Sequence, residues 1–264
     1  FSKAAVRWPS MSGDGKKVAF EFDSEVWVYD SDKKAATKLT IDAPLDNRIN
    51  SELTTAITQG VANYAVSPDG KRIVVEARGE LWLIPAAGGT TRRLSSSVAY
   101  DGQPQWLDND RIVFATGRTG RRTLMTVTIK GEEKPFYSHP THDVGNPKIS
   151  PDGKLLAFYQ GDNDIVTLNA DGRGTAKSVL NGWFAGGLIG QDEFSWSPDS
   201  KWIAAGVPTE RGSTKIVLAP VEGGQSLTVA TAPRDIGAIK WLPNGKGIYY
   251  FGVAREDANL FLID

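Results

Sequence analysis

Ser67-Pro68-Asp69-Gly70-Lys71, then Ile73-Val74-Val75, then Leu81-Trp82-Leu83-Ile84, then Arg92-Arg93-Leu94-Ser95: this stretch decides the fold, because it returns along the whole chain. Its turn phrase recurs as Ser12-Gly13-Asp14-Gly15-Lys16, Leu107-Asp108-Asn109-Asp110, Ser150-Pro151-Asp152-Gly153-Lys154, Ser197-Pro198-Asp199-Ser200-Lys201 and Leu242-Pro243-Asn244-Gly245-Lys246. Pro fixes φ, Asp bonds backbone groups further along, and Gly takes the positive φ that closes the reversal. A short β-prone run follows each turn, such as Val18-Ala19-Phe20, Leu156-Ala157-Phe158 or Ile248-Tyr249-Tyr250. A third strand comes next, such as Val26-Trp27-Val28-Tyr29 or Ile216-Val217-Leu218-Ala219, and then a more polar fourth, such as Lys177-Ser178-Val179-Leu180. The innermost strand precedes the turn, as in Pro104-Gln105-Trp106 and Phe194-Ser195-Trp196. Four antiparallel strands per copy make a propeller blade.

The 264 residues shared among six copies are 44 each, within the roughly 40–45 of four-stranded blades. The chain is therefore expected to be all-β, a single six-bladed β-propeller over 1–264, with a seven-bladed ring lacking one blade as the alternative. The blades fall at 1–40, 62–97, 100–138, 144–181, 191–231 and 234–264. Residues 41–61 are rich in Asp, Asn, Ser and Thr and read as an extended inter-blade connection. The sixth copy stops at Asp264 in its third strand. Phe1 to Ala5 supplying the fourth, closure by packing alone, and a missing blade all remain open. A start at Phe1 without a signal-peptide layout reads as a mature or excised segment.

Composition narrows the setting. With 30 Lys+Arg against 31 Asp+Glu, no global field recruits nucleic acid or an anionic membrane. No apolar run is long enough to span a bilayer. Zero cysteines excludes disulfides, thiol catalysis and thiolate metal sites. That composition fits a periplasmic or secreted protein, with the cytoplasm as the alternative.

The repeat, Ser-Pro-Asp-Gly-Lys followed by an Ile-Ala-Phe-like strand, an Ile-Trp-like strand, Gly-Gly and Arg-Leu-Thr, resembles that of TolB-type and tricorn-protease-type propellers. Trp8 to Phe20, and Tyr64 to Trp82 with the long connection between them, are similar to the start of the second propeller of tricorn-like serine peptidases. The resemblance implies a propeller lying apart from the catalytic domain of such a peptidase, and nothing in the chain resembles that domain. A second propeller of that family is seven-bladed, whereas six copies are present here.

Candidate sites divide against their structural alternatives. His139-Pro140-Thr141-His142 holds the only two histidines but no helical face to align them, so it reads as a surface loop and not a metal site. Asp108-Asn109-Asp110 and Asp162-Asn163-Asp164 offer oxygens without the distal Glu of a calcium loop, so they read as turns. Ser197 and Lys201 are spaced by the turn, and no Gly-x-Ser-x-Gly elbow occurs. Gly117-Arg118-Thr119-Gly120-Arg121-Arg122 and Arg92-Arg93 read as solvated hairpin tips. Trp27, Trp82, Trp106, Trp196 and Trp241 recur at equivalent positions and read as core. Trp183 and Phe184 lie in a Gly-rich loop, Asn181 to Gly190, outside the repeat. They are the candidate interaction pair, although the loop could instead fold over its own blade.

The sequence thus supports a non-catalytic propeller module of a tricorn-like peptidase, without cofactor or metal, that binds or guides peptide or contacts a downstream peptidase domain. A free-standing TolB-like cell-envelope interaction protein and a propeller hydrolase with an unrecognised acidic site are the alternatives.

Overall fold

The structure is a computed structural model that describes residues 6–22, 25–40, 60–95, 97–182, 184, 194–210, 212–232, 236–254 and 257–264. These residues form six antiparallel sheets and no helix. Blade 1 is β1 (Arg7–Met11), β2 (Lys17–Phe22), β3 (Glu25–Asp30) and β4 (Ala35–Lys38). Blade 2 is β5 (Val61–Val66), β6 (Arg72–Ala77), β7 (Glu80–Pro85) and β8 (Arg92–Arg93). Blade 3 is β9 (Asp101–Trp106), β10 (Arg111–Thr116), β11 (Thr123–Thr128) and β12 (Glu133–Tyr137). Blade 4 is β13 (Val144–Ile149), β14 (Leu155–Gln160), β15 (Asp164–Asn169) and β16 (Lys177–Asn181). Blade 5 is β17 (Phe194–Trp196), β18 (Trp202–Pro208), β19 (Thr214–Pro220) and β20 (Leu227–Ala232). Blade 6 has three strands among the described residues, β21 (Ile236–Trp241), β22 (Ile248–Ala254) and β23 (Asp257–Ile263).

Every sheet is a meander in chain order, the blade pattern expected from the repeat. Blade 1 belongs to one compact unit, Phe1–Ala56, and blades 2 to 6 to another, Ile57–Asp264. Most of the expected connection at 41–61, and the Phe1 to Ala5 segment, lie outside the described residues.

The turn phrase is a self-contained bonding unit. In blade 4 the Ser150 hydroxyl donates to Asp152 Oδ1 at 2.7 Å and accepts the Leu155 amide at 3.0 Å. Asp152 Oδ1 also accepts the Lys154 amide at 3.1 Å, and Gly153 at φ +73° closes the reversal. The same serine and aspartate bonds are made by Ser12 and Asp14, Ser67 and Asp69, and Ser197 and Asp199. The serine hydroxyl, and next the backbone amide two residues on, hold all four aspartates below the ordinary carboxylate range. Ser200 takes the left-handed conformation at φ +62° that glycine holds in the sister turns. The turns also dock blade to blade: the Asp69 amide donates to Asn109 Oδ1 at 3.0 Å, and the Asp152 amide to Ser200 Oγ at 3.1 Å.

Within the larger unit the core lies between sheets. Val74, Leu81 and Leu94 of blade 2 meet Trp106, Ile112 and Phe114 of blade 3. Leu124 and Val113 meet Leu156, Phe158 and Val166 between blades 3 and 4. Tyr159 and Ile165 meet Phe194, Trp196 and Ile203 between blades 4 and 5, and Ile216 meets Ile239 and Tyr250 between blades 5 and 6. Each such side chain contributes about 1.5–3 kcal/mol on burial. Of the recurrent tryptophans, Trp106 and Trp196 belong to this system and Trp241 packs against it. Trp106 Nε1 donates to Ala65 O at 3.0 Å, and Trp196 Nε1 to Lys148 O at 2.9 Å, so each indole clips its blade to the preceding inner strand.

Candidate functional site

The first strands of blades 2 to 6 surround one cavity of about 590 Å³. Its wall is built from a recurring β-bulge. In blade 3, Gln105 pairs with Val113 and Gly102 with Ala115, so Gln103 and Pro104 together face the single residue Phe114. In blade 4, Asn146 and Pro147 face Phe158 in the same way, and in blade 6, Ala238 and Ile239 face Tyr250. The first bulged residue is left-handed each time, at φ +53° for Gln103, +51° for Asn146 and +50° for Ala238. Non-glycine residues seldom take that conformation, at a cost of about 1–3 kcal/mol when strained. Proline suits the second position, where a ladder donor is not required. Trp8 and Pro9 of blade 1 repeat the device, with Trp8 at φ +53°.

The amides of the bulged residues tie the wall together. Glu76, only 4% exposed, accepts from Asn63 Nδ2 at 2.7 Å and from the Gln103 backbone amide at 2.9 Å. Burial, and then the charge and hydrogen bond of Glu76, push the Tyr100 phenol upward, so it stays protonated beside that carboxylate. Gln103 Oε1 in turn accepts the Asn146 amide at 2.7 Å, which carries the network from blade 2 through blade 3 to blade 4. Gly102 leaves room for it: a Cβ there would strike the Tyr100 hydroxyl and lie 2.5 Å from Glu76 Cδ. Blades 4 to 6 complete the wall with Lys148, Ser195 and Lys240. Lys148 Nζ donates to Phe194 O at 2.7 Å and sits 4.5 Å above the Phe194 ring.

Of the residues singled out from sequence, Trp196 lines this cavity. Phe184 corrects the expectation of an exposed aromatic pair, because its side chain is fully buried in the cluster between blades 4 and 5. Its ring lies 5.4 Å from that of Tyr159, and its amide donates to Asp162 O at 2.6 Å, so it packs into the blade. Trp183 lies outside the described residues. The His139 and His142 rings lie 4.7 Å apart, tilted by 31°, and His139 Nδ1 accepts the His142 amide at 3.1 Å. Asp108 caps its own turn, while Asp164 Oδ1 accepts from Ser178 and Asn181. Among the described residues no three His, Cys, Asp or Glu side chains converge as metal ligands. The arginine tip is held internally: Arg118 is clamped between Asp101, at 2.7 Å, and Glu133, and Arg121 donates to Thr141 O at 2.8 Å.

The sequence reading missed the cavity. Its signal was present as Gly102-Gln103-Pro104 and Gly145-Asn146-Pro147, the same triplet at a spacing of 43 residues.

No protein-family model matches the chain. It is 25% identical over 257 residues to the "Tricorn protease homolog" of Saccharolobus solfataricus, covering 93% of this chain and 22% of that protein. It is 23% identical over 252 residues to the "Putative Tricorn-like protease C-terminal subunit" of Sulfurisphaera tokodaii, covering 93% of this chain and 28% of that protein. The chain therefore spans about a quarter of the length of these curated relatives. In structure it resembles the putative TolB of Agrobacterium tumefaciens with a TM-score of 0.54 and 16% identity, over 99% of this chain and 91% of that one. Sequence relatives and fold agree with the blade chemistry, and the chain is built of tricorn- and TolB-like β-propeller repeats.

Proposed function

We propose that this chain is a non-catalytic propeller module of a tricorn-like peptidase, and that the cavity among its first strands holds an extended peptide. The observation that carries the reading is the wall itself: carboxamides of Asn63, Gln103, Gln105 and Asn146 stand around one cavity. Carboxamides donate and accept, which suits the alternating N–H and C=O groups of a peptide backbone irrespective of its sequence. The similarity to tricorn-type proteins supports the peptidase setting. The non-catalytic assignment is supported by the serines of the turn phrase, whose hydroxyls donate to aspartates held below the ordinary carboxylate range and therefore weak as general bases.

Two measurements test this. Titration of an unfolded peptide into isotopically labelled protein should shift the amide resonances of Gln105, Asn146 and Ser195, and leave those of the outer strand Leu227–Ala232 in place. A serine-reactive probe should label no residue. Shifts confined to the outer strands would remove the cavity from the reading. Labelling of one serine, abolished by its replacement with Ala, would make the chain a catalyst.

A further inference from the structure

We propose that Asn244 is a site of spontaneous covalent modification, where ring closure onto the Gly245 nitrogen and hydrolysis convert the asparagine to aspartate and isoaspartate. The blade 6 turn, Leu242-Pro243-Asn244-Gly245-Lys246, departs from its sisters at two positions. Asn244 stands where blades 1, 2, 4 and 5 carry Asp14, Asp69, Asp152 and Asp199, and Leu242 where they carry Ser12, Ser67, Ser150 and Ser197. Ring closure needs an uncharged carbonyl carbon. In blades 1, 2 and 4 the aspartate that precedes the glycine is held ionised by its serine hydroxyl and by the amide two residues on, and a carboxylate resists attack. The Asn244 carboxamide carries no charge. Its Oδ1 accepts the Lys246 amide at 3.0 Å, a donor placed to stabilise the charge that develops on that oxygen as nitrogen adds to Cγ. The turn is exposed, and nothing stands within 4 Å of where a Gly245 Cβ would lie. The Gly245 amide donates to Leu242 O at 2.9 Å and must release that bond to react, as would its counterparts in blades 1, 2 and 4, which make the same bond.

In the reaction the Gly245 N–H proton passes to solvent, the nitrogen bonds Cγ, and the Cγ–Nδ2 bond breaks with loss of ammonia. Water then opens the succinimide. Opening at the Cγ carbonyl gives aspartate, and opening at the backbone carbonyl of residue 244 gives isoaspartate, so one water is consumed for each ammonia released. Aspartate adds a negative charge to a turn that keeps its bond to Lys246, whereas isoaspartate lengthens the backbone by a carbon. The second Asn-Gly pair of the chain, Asn181-Gly182, is an internal control. Asn181 ends β16, paired with Asp164, and its Nδ2 donates to Asp164 Oδ1 at 2.9 Å. The Gly182 amide donates to Asn163 O at 2.8 Å, and a Cβ at Gly182 would lie 3.1 Å from side-chain atoms of Phe184 and Val207. The ladder and this packing hold Asn181 and Gly182 away from the attacking geometry, while the turn leaves Asn244 free to reach it.

The experiment incubates the intact chain at mildly alkaline pH and follows both pairs by peptide mass mapping, with isoaspartate scored by an isoaspartate-specific methyltransferase. The peptide holding Asn244 should gain about 1 Da, on the order of tenfold faster than the peptide holding Asn181, and both isomers should form. In denaturant, where the β16 ladder is gone, the two rates should converge. Asn244→Asp should remove the acidic species that accumulates on native isoelectric focusing. Equal rates at the two pairs in the folded chain, or an Asn244 that reacts only in denaturant, would overturn the proposal. So would isoaspartate at Asp14, Asp69 or Asp152 ahead of Asn244, or an acidic species that persists in Asn244→Asp.

Discussion

The Ser-Pro-Asp-Gly turns and the bulged first strands repeat with the same period, yet only the turns keep their residues. Ser150, Asp152 and Lys154 make the same bonds as Ser67, Asp69 and Lys71, because each turn closes on itself within six residues. The bulges keep a conformation instead. Gln103, Asn146 and Ala238 are left-handed at nearly one φ, although the first two carry carboxamides of different length and the third only a methyl group. Where the bonding partner is local, the residue type is repeated. Where the partner is a neighbouring blade or a cavity, the backbone is repeated and the side chain is available for specialisation.

That contrast can be broken at several points. The largest effect is expected at Glu76, because Glu76→Ala leaves Asn63, the Gln103 amide and the Tyr100 hydroxyl without their common acceptor. A loss of about 3 kcal/mol in denaturant unfolding is expected, and Gly102→Ala should approach it by displacing the same carboxylate. A loss below 0.5 kcal/mol, the range of ordinary surface changes, would mean the bulge network is dispensable. Phe184→Ala should cost about 3 kcal/mol by opening a cavity between blades 4 and 5, and an unchanged melting temperature would return Phe184 to the surface.

A turn should matter less than either. Ser150→Ala removes one hydroxyl from a buried position and should cost about 1 kcal/mol. The turns also give the sharper pH signature. Asp14, Asp69, Asp152 and Asp199 have folded-state values below those of the unfolded chain. Their contribution is present above the unfolded carboxylate value, about 3.9 for Asp, and is lost as pH falls through the lower folded values. Asp152→Asn should therefore lose stability at neutral pH, and the difference from the wild type should shrink as pH falls through the folded value of Asp152. A loss of the same size at neutral and acid pH would count against the turn as the acid-sensitive element.

The fold was legible in the sequence because its signal is local and periodic. Pro151 and Gly153 mark a reversal, and Leu156-Ala157-Phe158 marks the strand that follows, without reference to anything distant. The cavity was not legible in the same way. Gln103 meets Asn146 across 43 residues, and nothing in either neighbourhood announces the other except the shared Gly-x-Pro frame. Phe184 was misleading for a related reason. Its glycine-rich flanks suggest a projecting loop, whereas the tertiary partners Tyr159 and Phe194 draw the ring inward.

Site-specific photo-crosslinking tests the central claim most directly. A photoreactive residue is placed at Gln105 in the cavity wall and, in a second protein, at Asp171 in an exposed turn between β15 and β16. With an unfolded peptide present, crosslinks are expected from position 105 and not from position 171, and excess unlabelled peptide should suppress them. Crosslinks from position 171 alone, or from both positions without competition, would contradict a peptide site at the first strands.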